Sequence, residues 1–269
     1  MSDTKKCRIA IIGGGPSALF MYKRLVESKN KNIEVHIFER KNKLGAGTPY
    51  SEEGACDEHI TNVSDNEIPT IVNTIEEWII NEPGKALNFN ITPGNFNEFK
   101  VLPRLLFGDY LSSQFKLLLK NATENSVATT VHLSVKVKDL IHKKEVNKVL
   151  VITENKAIEF DVAIICIGHA WPLKQEGKIQ GIYDSPYPPS KLDLKLNHAI
   201  AIKGSSLTAI DAIRTLSRNN GYFKKNKNGK YAFQLAAGSE QFKLVMHSRS
   251  GLLPAVRFHL DDSHLRNNS

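Results

Sequence analysis

The chain opens with a short apolar run, Arg8 to Ile12, that stops at Gly13-Gly14-Gly15. From about Pro16 to Ser28, Ala18, Leu19, Tyr22, Leu25 and Val26 recur at helical spacing, which predicts a helix with one apolar face. A polar turn, Lys29 to Asn32, precedes a second strand pattern, Ile33 to Phe38, ending on Glu39. Strand, turn, helix, turn and strand in so short a span predict a parallel βαβ unit.

Between Arg40 and about Thr92 the chain is punctuated by Gly, Pro and Asn and only weakly periodic, the mark of a functional loop system. A helix is predicted over Arg104 to Lys120, after Pro103. Strands follow at Val127 to Leu133, Val135 to His142, Lys148 to Thr153 and Phe160 to Ile167, with a hairpin turn at Asn147. A Pro-rich stretch, Trp171 to Pro189, has linker character. The opening grammar then repeats. Ala199 to Lys203 is a strand, Gly204-Ser205-Ser206 a turn and Leu207 to Ser217 a helix. After a hydrophilic insertion, Asn219 to Gln241, Phe242 to His247 is another strand. The chain therefore carries two βαβ units, an internal duplication at the level of supersecondary structure.

Composition narrows the class. Hydrophobic residues make up 41% of 269, enough for one large domain or two small ones, and charged residues 24%. No run approaches the roughly 20 apolar residues of a membrane span, and no membrane is expected as a partner. The polar N-terminus lacks a signal-peptide pattern, so the cytoplasm is the expected compartment. Cysteines stand only at 7, 56 and 166, which excludes a C-x-x-C redox centre and a disulfide framework and suggests no metal cluster. The net charge is +8, and its densest patch is Lys224, Lys225, Lys227 and Lys230 among Asn and Gly. That patch reads as a solvated loop, with nucleic acid disfavoured as a partner.

Gly13-Gly14-Gly15-Pro16-Ser17-Ala18 satisfies G-x-G-x-x-A between a strand and a helix. Gly13 allows the tight turn, Gly15 lets a pyrophosphate approach the backbone, and Ala18 lets the helix sit close to its strand. Glu39 ends the second strand, where a carboxylate can accept both hydroxyls of a ribose. In the second unit Ser205 replaces the middle glycine of Gly204-Ser205-Ser206-Leu207-Thr208-Ala209. The strand after it ends in Ser248-Arg249 with no acid. A hydroxyl and a guanidinium there suit a 2′-phosphate, favouring NADPH over NADH, unless Arg249 is a solvated turn residue.

Leu44-Gly45-Ala46-Gly47-Thr48-Pro49-Tyr50-Ser51 resembles the FAD-NAD(P)-binding family of flavoproteins, a branch of the two-dinucleotide-fold flavoproteins related to flavin-containing monooxygenases. Further matches follow in family order: His59 to Val63, Leu102 to Leu111, Asp161 to Pro172, Gly204 to Asp211, and Ser248-Arg249-Ser250-Gly251-Leu252-Leu253-Pro254. The resemblance implies an α/β, Rossmann-like fold with an FAD-binding domain over 1–195 and an NAD(P)-binding domain over 196–269. It implies FAD as the first nucleotide, bound by Gly13, Gly15, Pro16, Ser17, Ala18, Glu39 and Arg40. Gly47, Thr48, Pro49 and Asn62 would lie near the flavin. Arg104 would be either a charge partner for the cofactor or a surface cation at a helix start. Gly168 and His169 leave the strand that closes the FAD domain; His169 either helps position a cofactor or is a polar residue at a strand end. NADPH would take Gly204, Ser206, Ala209, Ser248 and Arg249.

The activity so implied is that of an FAD-dependent, NAD(P)H-using oxidoreductase, a monooxygenase or hydroxylase of a small organic substrate, with no catalytic side chain evident. The other reading is an FAD-binding subunit or a non-catalytic flavin-fold module. Members of the family continue beyond the last matching block and return to the FAD domain, whereas this chain stops at Ser269. A partner chain completing that domain is the expectation for a naturally short form.

Overall fold

The computed structural model of the chain describes residues 6–169 and 172–253. Strands β1 (Cys7–Ile12) and β2 (Ile33–Phe38) pair in parallel around helix α1 (Pro16–Glu27), as the periodicity predicts. After the loop region come β3 (Ile60–Ser64), α2 (Ile75–Asn81), α3 (Pro83–Leu87), β4 (Val101–Pro103) and α4 (Arg104–Glu124). Helix α4 delivers the chain to β5 (Ala128–His132), which pairs in parallel with β2. Then β6 (Val137–Lys143), β7 (Lys148–Thr153) and β8 (Ala157–Phe160) form an antiparallel sheet. Asn147 turns in the left-handed region at φ 48°, where Asn is tolerated.

The predicted strand Phe160 to Ile167 is in fact two. The chain changes sheets at Asp161, whose carboxylate accepts the Arg8 N–H at 2.8 Å and whose N–H donates to the Arg8 carbonyl at 2.9 Å. Beyond it β9 (Val162–Ile165) joins the parallel sheet, giving the order β5-β2-β1-β9. Helices α1 and α4 cover one face of that sheet, with Leu19, Tyr22, Ile37 and Phe115 fully buried there. The antiparallel sheet covers the other through Phe38, Val151 and Phe160. Burial on both faces explains the unbroken apolar run Ile9–Ile12 of β1.

The Arg40–Thr92 stretch is less irregular than its composition predicts. Helix α2 is started by a capping box in which Thr74 accepts the Glu77 N–H at 3.1 Å and Glu77 accepts the Thr74 N–H at 2.8 Å. The described part of the Pro-rich linker is also pinned, because one Asp184 oxygen accepts the N–H groups of Lys174, Gln175 and Glu176.

The second unit consists of β10 (Ala199–Lys203), α5 (Leu207–Asn220) and β13 (Lys243–His247), with β10 and β13 parallel. Leu192, Leu216 and Phe242 form its small core. The insertion expected to be a solvated loop is instead an antiparallel hairpin, β11 (Gly221–Lys225) and β12 (Tyr231–Leu235). Alternating Tyr, Phe and Leu explain the strands. Among the described residues β9 pairs only with β1, leaving Ile165 and Ile167 exposed at the sheet edge. No helix among the described residues is long and apolar enough to cross a membrane.

Candidate functional site

The first turn is built at the C-terminal end of β1. Gly13 has φ +101°, and its N–H donates to the Phe38 carbonyl at 2.8 Å. A Cβ on Gly13 would lie 2.4 Å from the Cys166 carbonyl oxygen, so only glycine lets the end of β9 come this close. Helix α1 then begins at Pro16 with Gly15 as its N-cap and no side-chain cap. The positive end of the helix dipole is thus left to an external anion. Ala18 is buried against the sheet, while Ser17 is exposed. Glu39 is buried just past β2. One of its oxygens accepts the Gly14 N–H at 2.6 Å and the other the Lys41 N–H at 2.8 Å, and each keeps lone-pair capacity for a further donor.

The segment 44–50 is laid against this turn. Gly45 N–H donates to the Gly14 carbonyl at 2.7 Å, and a Cβ on Gly15 would stand 3.2 Å from the Gly47 Cα. Thr48 Oγ1 accepts from the Arg40 guanidinium at 3.5 Å, and Glu53 pairs with both Arg40 at 3.3 Å and Lys41 at 2.9 Å. The loop seats on α4 because position 108 is glycine: a Cβ there would fall 1.9 Å from the Tyr50 carbonyl oxygen. Gly13, Gly15, Pro16, Ser17, Ala18, Glu39, Arg40, Gly47, Thr48 and Pro49 are thereby brought to one end of the parallel sheet. Gly168 and His169 follow β9, whose last residue, Ile165, lies beside Ile12, so they leave at that same end. Asn62 stands exposed on β3 instead, in the β3–β4 ribbon.

The second turn repeats the backbone bond that closes the first. Gly204 has φ +116° and donates its N–H to the His247 carbonyl at 2.7 Å, as Gly13 does to Phe38. Ser206 is the N-cap of α5 without a side-chain cap, and Ala209 is buried. Lys203 pairs with His247 as Ile12 pairs with Phe38, so Ser248 and Arg249 occupy the places of Glu39 and Arg40. Ser248 Oγ donates to the Leu252 carbonyl at 3.2 Å, and Arg249 is exposed. Pro254, the end of the last sequence block, lies outside the described residues, as do Ala170 and Trp171.

Arg104 is not a surface cation, because its guanidinium is half sunk in the fold and matched by groups of the chain. Nη2 lies 2.7 Å from Asp211 Oδ2, Nη1 donates to Tyr187 Oη at 3.3 Å, and Nε donates to the Ile60 carbonyl at 2.9 Å. Tyr187 also donates to Asp211. Burial disfavours the Arg104 charge, but the Tyr187 hydrogen bond and the Asp211 carboxylate outweigh it and raise its pKa. Burial and the bond to Asp211 raise the Tyr187 phenol.

His59 continues this network. Its Nδ1 accepts the Cys56 N–H at 2.9 Å, so the neutral ring carries its proton on Nε2, 3.1 Å from Thr215 Oγ1. Thr215 donates to Glu58 at 2.9 Å, and Arg214 donates to the Glu58 carbonyl at 2.7 Å. Arg218 Nη1 meets Glu58 Oε2 at 2.8 Å as an ion pair, at an angle outside hydrogen-bonding geometry. Burial lowers the His59 pKa. The ligand-capable atoms of Cys56, Glu58 and His59 lie within 4.8 Å of one another, a juxtaposition that cysteine spacing does not disclose. With both His59 nitrogens engaged and two arginines on Glu58, the group works as part of a clasp between α5 and the first unit. Sequence reasoning missed the clasp, although a signal was present. Asp211, Arg214, Thr215 and Arg218 recur at three- and four-residue spacing, a polar stripe on one side of a helix.

The family described as FAD-NAD(P)-binding matches residues 10–170. A protein of Escherichia coli strain K12, described as uncharacterized protein YdhS, is 28% identical over 257 residues, covering 94% of this chain and 47% of the relative. The chain therefore spans about half the length of the curated relative it matches. Among solved structures, the closed crystal structure of cyclohexanone monooxygenase aligns over 80% of this chain and 37% of that one, with 11% identity and a TM-score of 0.51. S-allyl-L-cysteine S-oxygenase from Allium sativum aligns over 88% of this chain and 55% of that one, with 16% identity and a TM-score of 0.49. The likeness to the cyclohexanone monooxygenase is one of fold: an α/β, Rossmann-like arrangement with two dinucleotide-type units.

Proposed function

Because the chain belongs to the FAD-NAD(P)-binding family, we propose that it is a flavin-dependent oxidoreductase that draws electrons from NAD(P)H. Its reaction in this reading is monooxygenation of a small organic substrate. The observation that carries the proposal is the duplicated turn, in which Gly13 and Gly204 each bond the last carbonyl of the neighbouring parallel strand ahead of an uncapped helix.

Residues 1–195 serve as the FAD domain and 196–269 as the nicotinamide nucleotide domain. The first turn fits FAD on its own geometry. Gly15 and Gly47 place two backbones together with no side chain between them, α1 offers an open N-terminus, and Glu39 is held at the strand end for a ribose. Gly47, Thr48, Pro49, Gly168 and His169 complete that site in the proposal, and Asn62, on the β3–β4 ribbon, stands apart from it. Ser206 and Ala209 shape the second turn. Ser248 and Arg249, in place of an acid, make NADPH the better fit than NADH, since guanidinium binds a phosphate bidentately. Bound flavin supplies two-electron redox chemistry, with reduced nicotinamide as the electron source. The chain's own contribution is to orient the two nucleotides and exclude water. In this proposal the Arg104–Asp211 clasp acts through position alone, setting α5 against the first unit.

The test is an absorbance spectrum of the purified chain followed by anaerobic addition of NADPH. Flavin bands that bleach support the reading; bands that persist sink the hydride path; and a chain that stays colourless after addition of FAD sinks the flavin site.

A second reading has its own support. The exposed Ile165 and Ile167 at the β9 edge favour a subunit whose FAD domain is completed by a partner chain. Flavin binding that appears only on mixing with that partner separates the two readings.

A further inference from the structure

The hairpin β11–β12 plays no part in either nucleotide turn. From Gly221 to Leu235 it carries Lys224, Lys225, Lys227 and Lys230 and no acidic residue. It pairs with no other strand among the described residues. Its register sets Phe223 opposite Phe233, Lys225 opposite Tyr231 and Gly221 opposite Leu235. Side chains alternate across a strand, so Phe223, Tyr231, Phe233 and Leu235 share one face. The two phenylalanine rings meet at 5.2 Å between centroids, yet Phe223 is 64% exposed and Tyr231 68%. A two-stranded ribbon is marginal alone, and a bare apolar face on it marks a surface that something covers.

We propose that this hairpin docks the protein on the anionic phospholipid surface of a bilayer, contrary to the sequence expectation that no membrane is a partner. The four lysines match negative headgroups, while the apolar face enters the boundary between headgroups and acyl chains, where aromatic rings accumulate. Lys225 stands opposite Tyr231 at the turn end of the aromatic face, Lys227 and Lys230 lie in the turn, and Lys224 is on the opposite face, from where long stems reach round to headgroup level. A single-stranded nucleic acid fits less well. Bases stack on separate open rings, whereas here Phe223 and Phe233 pack on each other and Leu235 has no π face. The hairpin follows the C-terminal end of α5, a 14-residue helix of about 21 Å whose other end carries the Gly204 turn. Docking there leaves the second nucleotide turn accessible.

The experiment is co-sedimentation of the full chain with vesicles of phosphatidylcholine alone or mixed with phosphatidylserine, at low and physiological salt. Binding is expected only to the phosphatidylserine vesicles. At roughly fivefold per lysine, K224Q/K225Q/K227Q/K230Q should weaken it by about two to three orders of magnitude. Phe223→Ser with Tyr231→Ser should weaken it by about tenfold or more while the charge is unchanged. All six positions are exposed, and a thermal unfolding midpoint close to the parent's shows that each variant is folded. The proposal is overturned by no sedimentation, by equal sedimentation with neutral vesicles, or by binding that survives the lysine replacements. Tighter, lysine-dependent binding of an oligothymidylate would assign the hairpin to nucleic acid instead.

Discussion

Arg104, the first residue of α4, and Asp211, one turn into α5, form an ion pair at 2.7 Å with side-chain exposures of only 13% and 6%. They are 107 residues apart in the chain, Arg104 on the helix that packs on the first parallel sheet and Asp211 in the second βαβ unit. A pair this dry is costly to assemble and costlier to break, because a lone partner is left as an uncompensated charge. Asp211→Asn is expected to destabilise the chain by about 3–5 kcal/mol in urea denaturation. Arg104→Met combined with Asp211→Leu should recover most of that loss. A cost near that of a surface bridge, below about 1 kcal/mol, would show that the pair does not hold the units together.

The two turn glycines should respond differently to alanine. At position 13 the new Cβ meets the Cys166 carbonyl at 2.4 Å in addition to an unfavourable φ, so Gly13→Ala should fail to accumulate as folded protein. At position 204 nothing lies within 4 Å, and only the backbone cost of roughly 1–2 kcal/mol remains. Gly204→Ala should therefore fold and keep any flavin of the first unit. Thermal unfolding and the flavin content of the two purified variants decide the point, and equal behaviour would contradict it.

Glu39→Gln replaces a carboxylate that accepts two backbone N–H groups by an amide with one acceptor oxygen. One or more charge-assisted bonds of about 1.5–3 kcal/mol are lost. FAD affinity, followed by flavin fluorescence, should fall by roughly one to two orders of magnitude. An unchanged affinity would remove Glu39 from the ribose site.

Ser248 and Arg249 set the coenzyme preference if the second turn holds a nicotinamide nucleotide. Arg249→Ala should weaken NADPH by roughly tenfold or more, the worth of a bidentate phosphate contact, and leave NADH nearly unchanged. Ser248→Glu should shift preference towards NADH. The ratio of the two dissociation constants for each variant is the measurement; a ratio that stays fixed would leave Arg249 a surface residue.

Burial lowers the His59 pKa below its ordinary 6.5, so the folded state holds a neutral ring while the unfolded chain protonates first. The stabilising contribution is present above pH 6.5 and is lost as pH falls towards the lower, folded-state value. His132, lowered by burial and by its neighbour His36, has the same sign. The unfolding midpoint should therefore drop between pH 7.5 and about 5.5, above the range where carboxylates titrate. His59→Gln and His132→Asn should each flatten part of the slope. A wild-type midpoint flat across that window would count against both.

What the sequence by itself determined was local. Glycines in a strand–turn–helix order, the apolar period of α1 and the apolar residues of β1, β2 and β10 are written in neighbouring residues, and the elements appear where the pattern places them. Short elements were less legible. Helix α2 has only seven residues, too few for a period to stand out, though its Thr74–Glu77 capping box was readable. The basic insertion looked like a loop because its lysines masked the alternation of Phe223, Tyr231, Phe233 and Leu235.

Only the tertiary structure decided what lies between distant segments. Asp161 ends one strand and starts another because it meets Arg8, 153 residues earlier. The equivalence of Ser248 with Glu39 rests on matching bonds from Gly204 and Gly13, and a strand register is not visible in either strand alone. The counter-charge of Arg104 arrives from α5, the partner of His59 Nε2 is Thr215 of the same helix, and Tyr187 sat in a presumed linker. Charge pairing and desolvation act through space, so whether a side chain is spent or open to a ligand depends on neighbours that chain order does not supply.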